Sequence, residues 1–155
     1  LAKDLKEDYN IELGDLLNVR TFLDHNRIWE APKTKTQRIS KSTGAYASIG
    51  ERLLNNLVED SLLEHLTKWK PYVERFGLLM IELHTVKPEL VAQNIGKTAA
   101  TAYDATHGYS DQYILEVDVF NAIASEAGLH PDEHYFSKFP NNELATVSVN
   151  LLKGN

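Results

Sequence analysis

The sequence predicts an α/β fold: strands alternating with helices, a mostly parallel sheet, and an antiparallel strand pair at the end. Three observations carry this. Residues 16–23 (LLNVRTFL) and 78–86 (LLMIELHTV) are short apolar runs separated by a stretch of helical period. The second run is nearly continuous in apolar residues, as expected of a parallel strand buried on both faces. The last two strand-like segments, 134–139 and 145–152, are joined too briefly for a crossover and must pair antiparallel.

Taken in order, residues 1–14 are charged and read as a linker or a helix end, with one domain over 15–155. Residues 16–23 form the first strand, with Asp24, His25 and Asn26 directly after it. Residues 30–48 are rich in Lys, Thr and Ser, lack periodicity, and read as a lid or mobile loop. Its Lys33, Lys35, Arg38 and Lys41 read as solvated; a docking patch for an acidic carrier protein is the lesser alternative. Leu54, Leu57, Val58, Leu62, Leu66, Trp69 and Val73 recur at helical spacing, and Pro71 ends that helix. Gly77 precedes the second strand and Pro88 closes it. A second helix is expected over 112–127, with Tyr113, Val117, Phe120, Ala124 and Ala127 as its stripe and Gly128 as its C′ residue. Asn141-Asn142 marks the turn between the last two strands.

Composition narrows the function classes. With 155 residues, 43% hydrophobic and 25% charged, the chain can bury a real core. The net charge of −6 gives no sign of a nucleic-acid surface. No apolar run spans a bilayer and no signal peptide opens the chain, so a cytoplasmic protein without a membrane partner is expected. The absence of cysteine excludes disulfides, thiolate metal sites and cysteine nucleophiles.

The strand order and the EAGL at the end of the last helix resemble the C-terminal half of a class I S-adenosylmethionine-dependent methyltransferase. That family's sheet runs 3-2-1-4-5-7-6 with an antiparallel seventh strand, and this chain would supply strands four to seven. FLDHNR (22–27), IELH (81–84) and YDATHGYSDQY (103–113) look more specifically like methyltransferase domains of polyketide assembly lines, including the metal-dependent C-methylating type. The sequence departs from the family in lacking any G-x-G. The resemblance therefore implies that most of the S-adenosylmethionine site lies upstream of Leu1 and that the chain alone is inactive. It also implies an uncovered apolar edge on the first strand, to be paired by the missing N-terminal half or by a second copy.

Ligands of open parallel sheets sit beyond the carboxyl ends of the strands. Asp24 and His25 follow the first strand, and His84 lies near the end of the second. Neighbouring strands lie roughly 4.8 Å apart, so the two histidines could share a site. Residues 103–113 lead into the next helix on the same side and bring Tyr103, His107, Asp111 and Gln112 toward it. Two imidazoles with oxygen ligands suit iron or manganese, so His84, Gln112 and Asp111 are candidate metal ligands. Without a metal, His25 or His107 could take the substrate α-proton, with Tyr103 beside them. Asp24 is the candidate cofactor contact. Ser110 can instead be a helix cap, and His84 a satisfied core histidine. His65, His130 and His134 read as structural or surface residues. Glu82, inside an apolar strand, needs a partner, for which Arg27 or the tyrosines are candidates. The rival readings are another α/β enzyme such as a hydrolase, for which no G-x-S-x-G elbow appears, and a degenerate structural or dimerising domain.

Overall fold

The structure, a computed structural model, describes residues 1–100 and 111–154. Numbered among these residues, the elements are α1 (Ala2–Tyr9), β1 (Asn18–Thr21), β2 (Tyr46–Ser48), β3 (Glu51–Leu53), α2 (Asn55–Thr67), β4 (Leu78–Leu83), α3 (Pro88–Gln93), α4 (Val117–Glu126), β5 (Leu129–Pro131), β6 (Ser137–Phe139) and β7 (Val147–Gly154). No helix among the described residues is long and apolar enough to cross a membrane.

The fold is α/β with a mixed sheet. β1 lies parallel to β4, with Asn18 opposite Leu78 and Thr21 opposite Ile81. β7 runs antiparallel to β4, and both β5 and β6 pair antiparallel with β7. So β1, β4, β5 and β6 share one direction and β7 alone is reversed. β2 and β3 form a separate small hairpin. The turn holding Asn141-Asn142 connects β6 to β7, and Asn142 Oδ1 accepts the Leu144 amide there.

Strand side chains alternate between faces, and β4 obeys this strictly. Leu78, Met80 and Glu82 are buried, while Leu79, Ile81 and Leu83 are half-buried. Continuous apolar sequence thus does not mean two fully covered faces here. One face carries the core. Leu78 and Met80 join Val58, Leu62 and Leu66 of α2, Phe120, Ile123 and Ala124 of α4, and Leu152 of β7.

Several element limits differ from those expected. The first strand shrinks from 16–23 to Asn18–Thr21. The Asn18 side-chain amide donates to the carbonyls of Leu13, Leu16 and Tyr72, and Phe22 turns into the left-handed region at φ 54°. The helix expected from Leu54 onward is α2, which ends at Thr67 before the 3-10 turn that holds Pro71, with Leu54 as its exposed N-cap. The helix expected over 112–127 is α4, which begins only at Val117. Asp111 is left-handed at φ 49°, and the backbone after it is held against two other segments: the Tyr113 amide donates to the His25 carbonyl at 2.7 Å and the Thr85 amide to the Leu115 carbonyl at 3.2 Å. β5 was not foreseen, and in place of a strand over 134–139 there is a 3-10 turn at Glu133–Tyr135 followed by β6. Gly128 is left-handed just past α4, as a C′ glycine should be.

Residues 30–45 have no regular structure but are strapped to α2 and α4. Asp60 accepts from the Thr36 amide and hydroxyl and from Arg38 Nε. Glu59 Oε1 accepts from the Ser40 hydroxyl and the amides of Lys41 and Ser42. Glu116 Oε1 accepts from the Thr43 amide and hydroxyl. Arg38 is therefore not a solvated lysine-like residue: it is largely buried among Glu59, Asp60 and Glu126.

Gly77 sits at φ 86°, and a Cβ there would lie 2.8 Å from the Leu152 carbonyl oxygen of β7. Both the backbone angle and the strand contact exclude a side chain. Gly77→Ala is expected to cost about 1–3 kcal/mol, read as a lowered urea midpoint with an unchanged m-value.

Candidate functional site

The parallel pairing of β1 and β4 brings the segment after β1 against the end of β4. The Phe22 amide still donates to the Ile81 carbonyl at 2.7 Å; its left-handed turn then leads the chain over Glu82. Glu82 lies at the centre of the site, fully buried, and accepts four hydrogen bonds. Its Oε2 accepts the amides of Asp24 (2.9 Å) and His25 (3.2 Å), and its Oε1 accepts the Leu83 amide (2.6 Å) and His25 Nδ1 (2.5 Å). The partner that Glu82 requires is thus His25, not Arg27 or a tyrosine.

This contact defines the histidine's chemistry. A carboxylate only accepts, so Nδ1 is the donor in this contact. No hydrogen bond to Nε2 occurs among the described residues. Among the described residues His25 is an imidazole oriented by a buried carboxylate, with Nε2 unengaged. The same pairing orients a general base in the Ser-His-Asp arrangement.

Asp24 points the other way. Its carboxylate is almost wholly buried, bridged by Arg20 Nε at 3.1 Å to each oxygen and bonded to His65 Nε2 at 2.7 Å. Burial opposes its charge, but the His65 and Arg20 hydrogen bonds outweigh it and hold the carboxyl below the ordinary carboxylate range. Both oxygens are engaged, Oδ1 by Arg20 and His65 and Oδ2 by Arg20. Asp24 pins the loop that carries His25 to α2, through His65, and to β1, through Arg20. His65, read from the sequence as structural or surface, is therefore part of the framework of the site.

His84 is fully buried. Its Nδ1–H donates to the Leu115 carbonyl at 3.0 Å, so its Nε2 accepts the Ser148 hydroxyl at 2.7 Å. Both nitrogens are committed to protein partners, and Phe120 stacks edge-on at 5.5 Å. The Asp111 carboxylate accepts the Ile49 amide, at the turn between β2 and β3, and Gln112 is half-buried beside it. Among the described residues no group of three His, Asp or Glu side chains is gathered to hold a metal, so His84, Asp111 and Gln112 do not make a metal-binding set there. Tyr103 and His107 lie outside the described residues.

Burial pushes the His84 imidazole down from 6.5 to about 4. The unfolded chain therefore binds this proton below 6.5 and the folded chain only below about 4. Stability is full above that window and falls as the pH drops through it, by about 3 kcal/mol in all. Asp24 adds a separate loss below its ordinary value of 3.8. Urea titrations from pH 7 to 4 should show this slope, and His84→Gln should flatten it.

The segment that follows His25 borders a cleft of about 350 Å³, lined by Arg27, Ile28, Trp29, Ile49, Asp111 and Tyr113 among others. Ile28 and Ile49 are largely exposed on its sides. Trp29 and Tyr113 pack at 5.5 Å between ring centroids, and the Arg27 guanidinium lies 5.2 Å from the Tyr113 ring. Arg27 Nη1 and Nη2 donate to the carbonyls of Asp24 and Val58. Burial pushes this guanidinium down to about 10, which leaves it charged at neutral pH. Sequence reasoning placed Tyr113 on a helix stripe and so missed the cleft. The signal was present in FLDHNR, where an arginine follows the histidine by two residues.

Over residues 1–150 the chain matches the methyltransferase family described as the AprA MT2-like domain, and it belongs to that family. This makes it a methyltransferase domain of the polyketide and nonribosomal-peptide assembly type. No curated protein matches it.

Proposed function

We propose that this member of the AprA MT2-like methyltransferase family supplies the acid–base half of a C-methylation, acting on an acyl group held as a carrier-bound thioester. The observation that carries this reading is the His25–Glu82 pair. His25 Nε2 takes the proton from the carbon next to the thioester carbonyl. Glu82 holds the ring in the required tautomer and stabilises the imidazolium that forms. The C–H electron pair becomes the carbon–carbon double bond of an enolate, and the carbonyl pair moves onto oxygen. The methyl donor of this reading is S-adenosylmethionine, which supplies an electrophilic methyl group. The described residues do not themselves fit its nucleoside: no G-x-G occurs, and Asp24 is engaged by Arg20 and His65. The chain's own contribution is therefore the deprotonation.

The donor site is assigned to a further part of the synthase polypeptide, docked along β1. Among the described residues that strand pairs only with β4, and Leu17, Val19 and Leu23 are exposed at and beside it. Light scattering on the isolated chain is expected to show a monomer; a stable dimer would instead assign the edge to a second copy.

The test of the deprotonation is isotopic. The complete polypeptide carrying this chain, mixed with S-propionyl pantetheine in D₂O without methyl donor, should exchange the substrate's α-protons. Absence of exchange above the buffer rate would remove the reading.

A further inference from the structure

We infer that Asp24 and His65 are positioning residues for the proton abstraction: the hydrogen bond between them holds His25 against Glu82 in the geometry in which the imidazole acts. This rests on the deprotonation proposed above and names what aims its base. Glu82 receives the Asp24 and His25 amides on one oxygen and the His25 ring on the other. The loop must therefore present two consecutive amides and one imidazole to a single carboxylate. It does so from a left-handed turn at Phe22, at φ 54°. Such a conformation in a non-glycine residue costs about 1–3 kcal/mol and persists only where its surroundings over-determine it.

The Asp24 side chain supplies that constraint. It is 1% exposed, and its partners come from two elements, Arg20 of β1 and His65 of α2. Burial opposes its charge, and the hydrogen bonds from His65 and then Arg20 outweigh burial, so the anchor is a charged carboxylate. Arg20 belongs to the strand that the loop leaves, and its guanidinium lies over the Trp69 ring at 4.8 Å. His65 instead reaches Asp24 across 41 positions of sequence and ties the loop to the helix over the sheet. Arg27 adds a second tie, donating to the Asp24 carbonyl and to the Val58 carbonyl of α2. With Arg27 in place, loss of the His65 bond shifts the loop rather than releasing it. A displacement of about 1 Å at a reacting group can cost about 10²-fold in rate. The His65 side chain is itself 24% exposed and borders a cavity of about 210 Å³, so its replacement leaves the core packing intact.

The test uses the complete polypeptide, S-propionyl pantetheine in D₂O and two substitutions at His65. His65→Leu removes the donor and should lower the maximal rate of α-proton exchange about 10- to 100-fold, with KM little changed. His65→Gln puts an amide N–H₂ in place of the Nε2 donor and should restore most of that rate. A second readout needs no substrate. In protein with ¹⁵N-labelled histidine, the proton on His25 Nδ1 gives a signal that His25→Ala removes. His65→Leu should shift or broaden this signal, and His65→Gln should preserve it. A role confined to folding would lower the melting temperature but leave the signal and the maximal rate of the folded protein unchanged. Exchange in His65→Leu at the wild-type rate, or His65→Gln as slow as His65→Leu, would overturn the inference. Wild type that exchanges no protons removes the deprotonation reading, and the Nδ1 signal then decides by itself whether His65 positions His25.

Discussion

His25→Ala in the complete polypeptide is expected to lower methyl transfer by about 10²–10⁴-fold, the range of a lost general base. The fold should survive. The His25 backbone contacts, its amide to Glu82 and its carbonyl to Tyr113, do not depend on the side chain. Removal of the ring leaves Glu82 three amide donors, those of Asp24, His25 and Leu83. The loss should therefore appear in kcat with little change in KM, since the imidazole acts on the proton in flight rather than on the bound chain. His25→Gln should be nearly as inactive: its amide nitrogen can still donate to Glu82 but offers no basic nitrogen. Measured rates of donor consumption on an acyl-pantetheine substrate decide this. A variant within threefold of wild type would rule His25 out as the base.

Glu82→Leu should have the largest effect on stability, about 3–5 kcal/mol. The wild-type carboxylate accepts three backbone amides and one imidazole at a fully buried position. Leucine has nearly the same volume and no acceptor, so those donors would be left unpaired where water does not reach. Glu82→Gln keeps one acceptor oxygen and places an amide N–H₂ against donors that cannot accept, so its cost should lie between the two. Because the same residue orients His25, activity should fall in both variants even under conditions where they remain folded. Urea unfolding followed by circular dichroism measures the first effect, and methyl transfer at low temperature the second. A Glu82→Leu protein as stable as wild type would show that the four hydrogen bonds contribute nothing net.

Much of the fold was legible along the chain. Period-two and period-3.6 patterns reflect the burial of one face, which is a local property of spacing. The period-3.6 stripe located α2, a near-continuous apolar run located β4, and the short connection at Asn141-Asn142 required the antiparallel pairing that β6 and β7 show. The chemistry of single residues was legible too. Glu82 in an apolar strand announced a buried carboxyl in need of a partner, and His25 after a strand placed an imidazole at a carboxyl end.

What the sequence by itself determined is therefore the class of fold and the presence of a carboxylate and an imidazole at one end of the sheet. Only the tertiary structure decided which groups meet. Glu82 and His25 are separated by 57 positions, and their pairing depends on β1 lying parallel to β4 and on the left-handed turn at Phe22. The partners of His84 and Asp24 were decided in the same way: the carbonyl of Leu115 and the hydroxyl of Ser148 meet the first, and Arg20 and His65 the second. Tyr113 became a wall of the cleft because the backbone from Asp111 onward is bonded to the His25 segment before α4 begins. Side-chain chemistry is a local property, whereas the partner that directs it is set by long-range packing, which a pattern of spacing does not encode.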